Sequence, residues 1–256
     1  MKVLCIGDII GRTGRNAVRH FLPEVIKKYN VEVVIANGEN AASGAGITKK
    51  VYNQLIDMGI DVLTSGNHIW DKKEVLEFID KVPNLLKPAN YPPSTPGKGY
   101  ITFEKNGKKI TVINLMGRVF IGIPLDCPFR KFDEIYEQVK DDSDHIIVDF
   151  HGEATSEKQA FGFYVDGRAD IVFGTHSHVQ TSDERFLEKG TAFITDVGLS
   201  GTLDSVIGVR KDEVIQKFLT GMPARYEVAK GDLAFQALFV DIENKKIERI
   251  KLIEKH

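Results

Sequence analysis

The sequence predicts an α/β protein, a mixed β-sheet sandwich flanked by helices, from two observations. Over residues 1–81, short apolar runs rich in Val and Ile alternate with amphipathic segments, which is the pattern of strands joined by helices. Further along, two pairs of alternating runs are each joined by a short polar turn, which indicates antiparallel hairpins. Because 256 residues suffice for one domain with a sizeable core, we expect a single domain over 1–256.

The first half of the chain predicts three strand–helix units and a long loop. Continuous Val and Ile runs, typical of strands buried on both faces, begin at residues 2, 31 and 61. Amphipathic helices are expected over 15–28, 48–58 and 71–81. The Pro-rich segment 87–99 is expected to be a loop and not a domain linker, because strands that need a sheet partner follow at once.

The second half predicts two hairpins with three core strands between them. Segment 99–117 alternates around Asn106-Gly107, a strong signal for a type I′ turn, and segment 235–253 repeats the pattern near the C-terminus. The apolar runs that follow residues 144, 169 and 190 read as core strands.

Composition places the chain among ordinary globular proteins. A net charge of -2 with 42% hydrophobic residues gives no basic excess, so long nucleic acids are not expected partners. The two cysteines lack CxxC spacing, so neither a zinc ribbon nor a disulfide framework is predicted, and a reducing cytoplasm fits best. The N-terminus shows neither a signal peptide nor a membrane span, so we expect a cytoplasmic protein without a membrane partner.

Polar residues of metal-ligating type follow the predicted core strands at one end. They are Asp8, Glu39, Asn40, Asn67, His68, His151, His176 and His178. Strands of an α/β sheet bring their carboxyl ends to one edge, so we expect these residues to converge. Glycines precede four of these positions and let the backbone turn sharply and approach a common centre; they are Gly7, Gly38, Gly66 and Gly174. On an extended segment His176 and His178 would face the same side and reach adjacent ions.

This set predicts a metal centre, because carboxylates, amides and imidazoles without a thiolate suit hard or borderline divalent cations. The ligands are too many for one tetrahedral ion, whereas two ions that share a carboxylate would use them fully. The excess positive charge of such a pair favours an anionic phosphate ester. Taken one at a time, these residues have simpler explanations. Asp8 could cap a helix, and His68 could be a histidine that supports the site through a hydrogen bond.

Taken in order, these motifs resemble the calcineurin-like metallophosphoesterases, and the whole chain resembles the bacterial YmdB-like branch of that superfamily. The strings that carry the resemblance are "GDIIGRTGR", "NGENAASGAGIT", "SGNHIWDKKE", "KPANYP" and "DVGLSGTLDSVIG". The resemblance implies the metallophosphoesterase fold, two divalent metal ions, and a hydrolase acting on phosphodiester bonds. The implied substrates are cyclic nucleotides, with 2′,3′-cyclic nucleotides the best supported.

The resemblance also implies roles for individual residues. One metal would be held by Asp8, Glu39, Asn40 and His178, and the second by Glu39, Asn67, His151 and His176, with Glu39 as the bridge. His68 would be the catalytic residue, as general acid or as a stabiliser of phosphoryl charge, while a metal-bound water is the nucleophile.

This chain departs from the wider superfamily at its first motif. The usual Asp-x-His is here Asp8-Ile9-Ile10, so Asn40 is expected to replace the missing histidine. Its amide oxygen favours Fe or Mn, with Zn or Mg as alternatives.

Two other functions stay open. A phosphomonoesterase would use the same metals but should carry extra cationic groups for a dianion, and no Arg or Lys cluster is expected around the motifs. A regulatory or RNA-associated binding protein would need only a structural metal site, and the non-ligand histidine His68 argues against it. "GDIIGRTGR" has neither dinucleotide-binding nor Walker spacing, although its backbone amides could touch a phosphate. A homo-oligomer is left open, and His20 and His256 are expected at the surface.

Overall fold

A computed structural model describes residues 1–255 as two β-sheets packed face to face, with helices on the outer sides. His256, expected at the surface, lies outside the described residues. The strands are β1 (Lys2–Ile6), β2 (Asp8–Ile9), β3 (Val33–Asn37), β4 (Val62–Thr64), β5 (Tyr100–Lys105), β6 (Lys108–Met116), β7 (His145–His151), β8 (Ile171–Thr175), β9 (Arg185–Phe186), β10 (Ala192–Ile194), β11 (Leu199–Ser200), β12 (Leu233–Asp241) and β13 (Lys246–Glu254). The helices are α1 (Gly11–Tyr29), α2 (Lys49–Asp57), α3 (Val75–Phe78), α4 (Pro128–Val139), α5 (Thr155–Tyr164) and α6 (Lys211–Thr220).

The predicted core strands are divided between the two sheets. The first sheet has the order β13-β12-β1-β3-β4, and the second has the order β5-β6-β7-β8-β10-β9, while β11 and β2 form a separate two-stranded sheet. The strands β1, β3 and β4 are parallel to one another, as are β6, β7, β8 and β10, whereas the outer hairpins are antiparallel. Both sheets are therefore mixed, and the predicted sandwich class is confirmed.

Side-chain alternation along β1 shows how the layers are arranged. Val3 and Cys5 contact the core between the two sheets, while Leu4 and Ile6 contact the core beneath α1 and α2. Successive strand residues point to opposite faces, so a strand buried on both faces is apolar throughout. The other sheet packs in the same way against α4 and α5.

Both predicted hairpins are present. Asn106 and Gly107 have φ angles of 53° and 73°, and positive φ at both central residues is what a type I′ turn requires. In the C-terminal hairpin, β12 pairs with β13. The cross-strand partners run from Leu233 opposite Glu254 to Asp241 opposite Lys246. Segment 87–99 is a loop, as predicted.

The helix predicted over 71–81 is wrong in its extent. Only Val75–Phe78 is α-helical, followed by a 3-10 turn at Ile79–Lys81. Residues 66–71 form turns closed by backbone hydrogen bonds from Ile69 to Gly66 and from Asp71 to His68. Pro83 disfavours helix at the residue before it. The turns up to residue 71 and Pro83 therefore leave room only for a short helix between them.

Among the described residues, no helix combines the length and the apolar character that a bilayer span requires.

Candidate metal centre

The structure brings seven of the predicted side chains together where strands of both sheets end. We call them the polar cluster: Asp8, Glu39, Asn40, Asn67, His151, His176 and His178. Asp8 begins β2, Glu39 and Asn40 follow β3, Asn67 follows β4, His151 ends β7, and His176 and His178 follow β8. Asp8, Glu39 and His151 are completely buried.

One half of the polar cluster surrounds the His151 ring. Its Nε2 atom lies 3.0 Å from Asn67 Oδ1, 3.0 Å from His176 Nδ1 and 3.2 Å from Glu39 Oε1. A ring nitrogen carries at most one hydrogen, so it cannot satisfy three such neighbours at once. Ligand-type atoms of Glu39, His151 and His176 all lie within 4.8 Å of one another, and this convergence fits a cation.

The other half of the polar cluster joins Asp8, Asn40 and His178. The Asn40 amide nitrogen is 3.1 Å from His178 Nε2, which is 3.7 Å from Asp8 Oδ1. Asp8 Oδ1 is buried and has no hydrogen-bond partner among the described residues. A buried carboxylate oxygen without a partner is costly unless a cation accompanies it, so this half also fits a metal ion.

Glu39 lies between the two halves. Its Oε1 atom is 3.2 Å from His151 Nε2 and 3.4 Å from the Asn40 amide nitrogen, and its Oε2 atom accepts a hydrogen bond from the His68 backbone at 3.0 Å. One buried carboxylate therefore faces both sets of donors.

The His151 ring is oriented by a chain of hydrogen bonds that runs into the sheet. Thr175 Oγ1 donates to Asp149 Oδ1 at 2.8 Å, so it must accept from His151 Nδ1, which lies 2.9 Å away. This turns Nε2 into the cluster. A metal-binding histidine is typically held in this way by an acceptor on its other nitrogen.

The other two rings show the same arrangement. His178 Nδ1 donates to the Ile207 carbonyl at 2.7 Å, which leaves Nε2 for the cluster. His176 Nε2 lies 2.9 Å from Glu153 Oε2, so Nδ1 is its inward-facing atom. Each of the three rings thus turns one nitrogen into the cluster while a partner holds the other, and a neutral ring in this orientation can bind a metal.

The electrostatics are those of a cation site. Burial alone would raise the pKa of Glu39, but the charge and hydrogen bond of His151 lower it to about 2. Burial opposes protonation of His151, yet Glu39 and Asp8 raise its pKa to about 9. Burial and the neighbouring His151 lower the pKa of His176 to about 3, which keeps that ring neutral. Two buried carboxylates therefore attract positive charge into the cluster.

The backbone around the histidine pair is not extended, so the prediction that His176 and His178 share one side of a strand is wrong. Both follow the end of β8, and their φ angles are 99° and 62°, in the left-handed region that favours glycine. Asp196 accepts a hydrogen bond from the Ser177 backbone at 3.0 Å, and Asp8 accepts one from the His176 backbone at 3.1 Å. These carboxylates hold a strained turn that sends the two rings to different halves of the cluster.

Two glycines before the cluster are required by close approach and not by a sharp turn. A Cβ atom at Gly66 would lie 2.2 Å from the His151 ring, and one at Gly174 would lie 1.8 Å from the Thr195 carbonyl oxygen. Neither residue has positive φ, so the turn explanation is wrong for both.

His68 lies beside the cluster but its side chain does not enter it. The side chain is 40% exposed, and Nδ1 is 2.8 Å from Asp71 Oδ2. The backbone hydrogen bond to Glu39 fixes its position, so the ring faces solvent next to the cluster.

Several residues that orient the cluster were not predicted. Asp149 is a charged residue within an apolar strand, two residues before His151, and that spacing could have indicated it. Lys158 and Asp196 form a buried ion pair at 2.7 Å that supports the strained turn. They come from α5 and from the segment after β10, and no local pattern links them.

The expectation that no cationic cluster lies near the motifs is wrong. The Arg15 guanidinium donates to the carbonyl of Ala41, the residue after Asn40. Arg12 and Arg225 line a cavity beside the same loop. Residues far apart in sequence form this cluster, so the spacing of Arg and Lys along the chain could not reveal it.

The chain is similar in sequence to known proteins. A family model described as YmdB-like protein matches residues 4–253. The chain is 49% identical over 261 residues to the 2′,3′-cyclic-nucleotide 2′-phosphodiesterase of Bacillus subtilis (strain 168), covering 100% of this chain and 98% of that protein.

Two solved structures are similar over nearly the whole chain. A hypothetical protein from Thermus thermophilus has a TM-score of 0.93 at 42% identity, with 99% of this chain and 100% of that chain covered. A structure described as a novel phosphatase from Mycoplasma pneumoniae has a TM-score of 0.92 at 37% identity, with 100% and 94% covered.

Proposed function

Because the chain belongs to the YmdB-like protein family, we propose that it is a metal-dependent hydrolase of phosphodiester bonds whose substrates are 2′,3′-cyclic nucleotides. The observation that carries the proposal is the position of Glu39 between two sets of buried donor atoms. The name of the Bacillus subtilis relative supports the substrate class.

Two divalent ions fit the polar cluster, with Fe or Mn favoured by its oxygen and nitrogen donors. Asp8, Asn40 and His178 would hold one ion, and Asn67, His151 and His176 would hold the other, with Glu39 shared. When bound, the ions would neutralise phosphate charge and lower the pKa of a water molecule.

Hydrolysis of the cyclic diester needs a proton at the leaving oxygen. The oxygen of a water molecule forms a bond to phosphorus, the bond from phosphorus to O2′ breaks, and O2′ takes a proton, which gives a nucleoside 3′-phosphate. His68 would donate that proton from Nε2, because Asp71 occupies Nδ1. The proton that the attacking water loses would restore the ring.

A diester substrate also fits the surroundings of the cluster better than a monoester. Within residues 1–255, the side chains of the polar cluster form hydrogen bonds and ion pairs with one another, with carboxylates, a hydroxyl, the Asn37 amide and backbone groups. None of these partners is an Arg or Lys side chain. A monoester dianion would gain from a cationic side chain at that place, whereas a singly charged diester would not need one.

The test is hydrolysis by the metal-loaded protein. We expect 2′,3′-cyclic AMP to be converted to 3′-AMP, with p-nitrophenyl phosphate a poorer substrate. Glu39→Gln should abolish the reaction, while Glu24→Gln, which changes an exposed carboxylate in α1, should not. Faster hydrolysis of the monoester would favour a phosphomonoesterase. A metal-loaded protein without any hydrolysis would favour a binding protein with a structural metal.

We further propose that residues 1–256 form one domain that works in the cytoplasm. Both cysteines are free in the described residues, which supports a reducing compartment. Light scattering of the purified chain would decide between a monomer and a homo-oligomer.

A further inference from the structure

A large cavity lies beside the polar cluster and is not used by the proposed mechanism. Its volume is about 710 Å³. Its walls are the start of α1, the loop at Ser43, and the segment from Arg225 to Leu233. A second cavity of about 460 Å³ shares Arg12, Arg15 and Asn16 with it and reaches Lys50. We call the two together the arginine groove.

Over residues 1–255, no ion pair joins a basic side chain of the arginine groove to an acidic one. Arg12, Arg225 and Lys230 are exposed, and none forms an ion pair within the part of the chain that the structure describes. The acidic wall residue Glu227 lies 3.5 Å from Arg210, outside the groove. Unpaired cations on facing walls are a typical anion-binding arrangement.

Like charges are also crowded along one face of α1. Arg12, Arg15 and Arg19 follow one another at helical spacing, and the Arg19 guanidinium donates to the Asn16 side chain at 3.2 Å. Burial, then the neighbouring Arg19 and Arg12, lower the pKa of Arg15. Like charges three or four residues apart on a helix destabilise it, and a bound anion would relieve this repulsion.

The arginine groove adjoins the polar cluster through the backbone. The Asn40 carbonyl accepts a hydrogen bond from Gly11 at 2.9 Å, and the next carbonyl, that of Ala41, accepts one from Arg15. Ser43 lines the cavity and is three residues after Asn40, so their Cα atoms are at most ~11 Å apart. A ligand with several linked phosphates can therefore contact both sites.

We propose that the arginine groove binds the phosphodiester groups that precede a terminal 2′,3′-cyclic phosphate, so that short oligoribonucleotides with this terminus are the substrate class. The inference rests on the proposed function and adds the part of the substrate outside the reacting ring. Tyr226 is 42% exposed and lines the cavity, and it provides a ring on which a base can stack. The net charge of -2 does not oppose this, because the groove is a local concentration of cations.

The test compares two substrates of the metal-loaded full chain, 2′,3′-cyclic AMP and a triribonucleotide that ends in a 2′,3′-cyclic phosphate. Wild type should have a KM about tenfold lower for the trinucleotide. The double variant Arg12→Gln/Arg225→Gln should raise that KM about tenfold, since it removes two cations that bind phosphates. Its kcat, and both constants for cyclic AMP, should stay within about twofold of wild type.

A charge-matched control removes two exposed lysines outside the groove, Lys81→Gln/Lys251→Gln, and should leave both substrates unchanged. The salt dependence gives a second readout. Plotted as log(kcat/KM) against log[salt], the trinucleotide line should flatten by ~1.4 in the groove variant, about 0.7 for each phosphate that no longer pairs with an arginine. Equal effects of the groove variant on both substrates, or none on either, would overturn the inference.

Direct binding separates this inference from the proposed function. If wild type hydrolyses neither substrate, the proposed function fails. The groove is then tested by fluorescence anisotropy with a labelled trinucleotide that carries a 3′-phosphate. Binding that the groove variant weakens about tenfold would sustain the oligonucleotide site. No binding, or equally tight binding of 5′-AMP, would contradict it.

Discussion

At the scale of single residues, the polar cluster depends on groups that fix the histidine tautomers. Thr175 connects His151 to Asp149 through its hydroxyl, and the Asn37 amide nitrogen lies within hydrogen-bond distance of both groups. The direction of each ring therefore depends on groups outside the polar cluster.

Thr175→Val keeps the side-chain volume but removes the acceptor of His151 Nδ1. We expect metal affinity to fall about 10- to 100-fold, because a metal-binding ring loses its orientation when this partner is removed. Metal titration of the metal-stripped variant measures the change. The control Thr191→Val removes another buried hydroxyl, which donates to the Ala169 carbonyl at 2.6 Å, and should leave metal affinity intact. Equal losses in both variants would mean a general packing effect.

His68 tests the division between binding and chemistry. His68→Ala should lower kcat by about 10²- to 10⁴-fold, the usual contribution of a general acid, with the metal content unchanged. His20→Ala, in an exposed histidine 3.0 Å from Glu254, is the matched control. Unchanged hydrolysis, or loss of metal from the His68 variant, would show that the role given to this residue is wrong.

The site residues were predictable to the extent that strand order determines where they lie. Asp8, Glu39 and His151 follow apolar runs, and parallel strands bring such positions to one edge whichever sheet they belong to. The supporting residues were not predictable in this way, because Lys158 and Asp196 meet only through the packing of α5 on the second sheet. The left-handed backbone at His176 was also hidden, since it depends on carboxylates distant in sequence.

At the scale of elements, Asp183 joins the segment after β8 to the end of β10. It accepts hydrogen bonds from the Thr195 backbone at 3.1 Å and from the Thr181 hydroxyl at 2.7 Å. Burial opposes ionisation, but these bonds and the Thr195 hydroxyl hold the pKa of Asp183 below its ordinary value. The ionised carboxylate therefore stabilises the folded chain.

This gives a pH-dependent prediction. A carboxyl group whose pKa is depressed by folding contributes stability above its unfolded pKa of ~3.9, and that contribution is lost as the pH falls through the lower folded value. Asp183→Asn should lower Tm by about 2–4 °C at pH 7, and the difference from wild type should shrink below pH ~4. Calorimetry from pH 3 to 7 measures it, with the exposed Asp57→Asn as control. A difference that grows on acidification would contradict the assignment.

Local pattern predicted some elements well and others poorly. The hairpin at Asn106-Gly107 was predictable because its turn needs two positive φ angles that this pair supplies. The start of the helix expected over 71–81 was predicted incorrectly. The turns that place His68 beside Glu39 extend into the beginning of that segment. Turns thus replace the first turn of the expected helix.

At the scale of the whole molecule, the two sheets act as one support for the site. Glu39 and Asn67 follow strands of the first sheet, and Asp8 lies in the two-stranded sheet shortly after β1. His151 and His176 come from the second sheet and the turn after it. The sandwich core between the sheets therefore sets the distance between the two halves of the polar cluster. The net charge of the chain did not reveal the arginine groove, because residues distant in sequence meet there only on the folded surface.

The most direct test of the central claim is elemental analysis of the purified chain, as moles of Fe, Mn and Zn per chain. Glu39 shared between two donor sets predicts close to two transition-metal ions per chain in wild type. Asn67→Ala, which removes a donor from one set, should retain about one. Essentially no metal in wild type, persisting after reloading with Mn and Fe(II), would contradict a dinuclear centre and with it the proposed hydrolytic function.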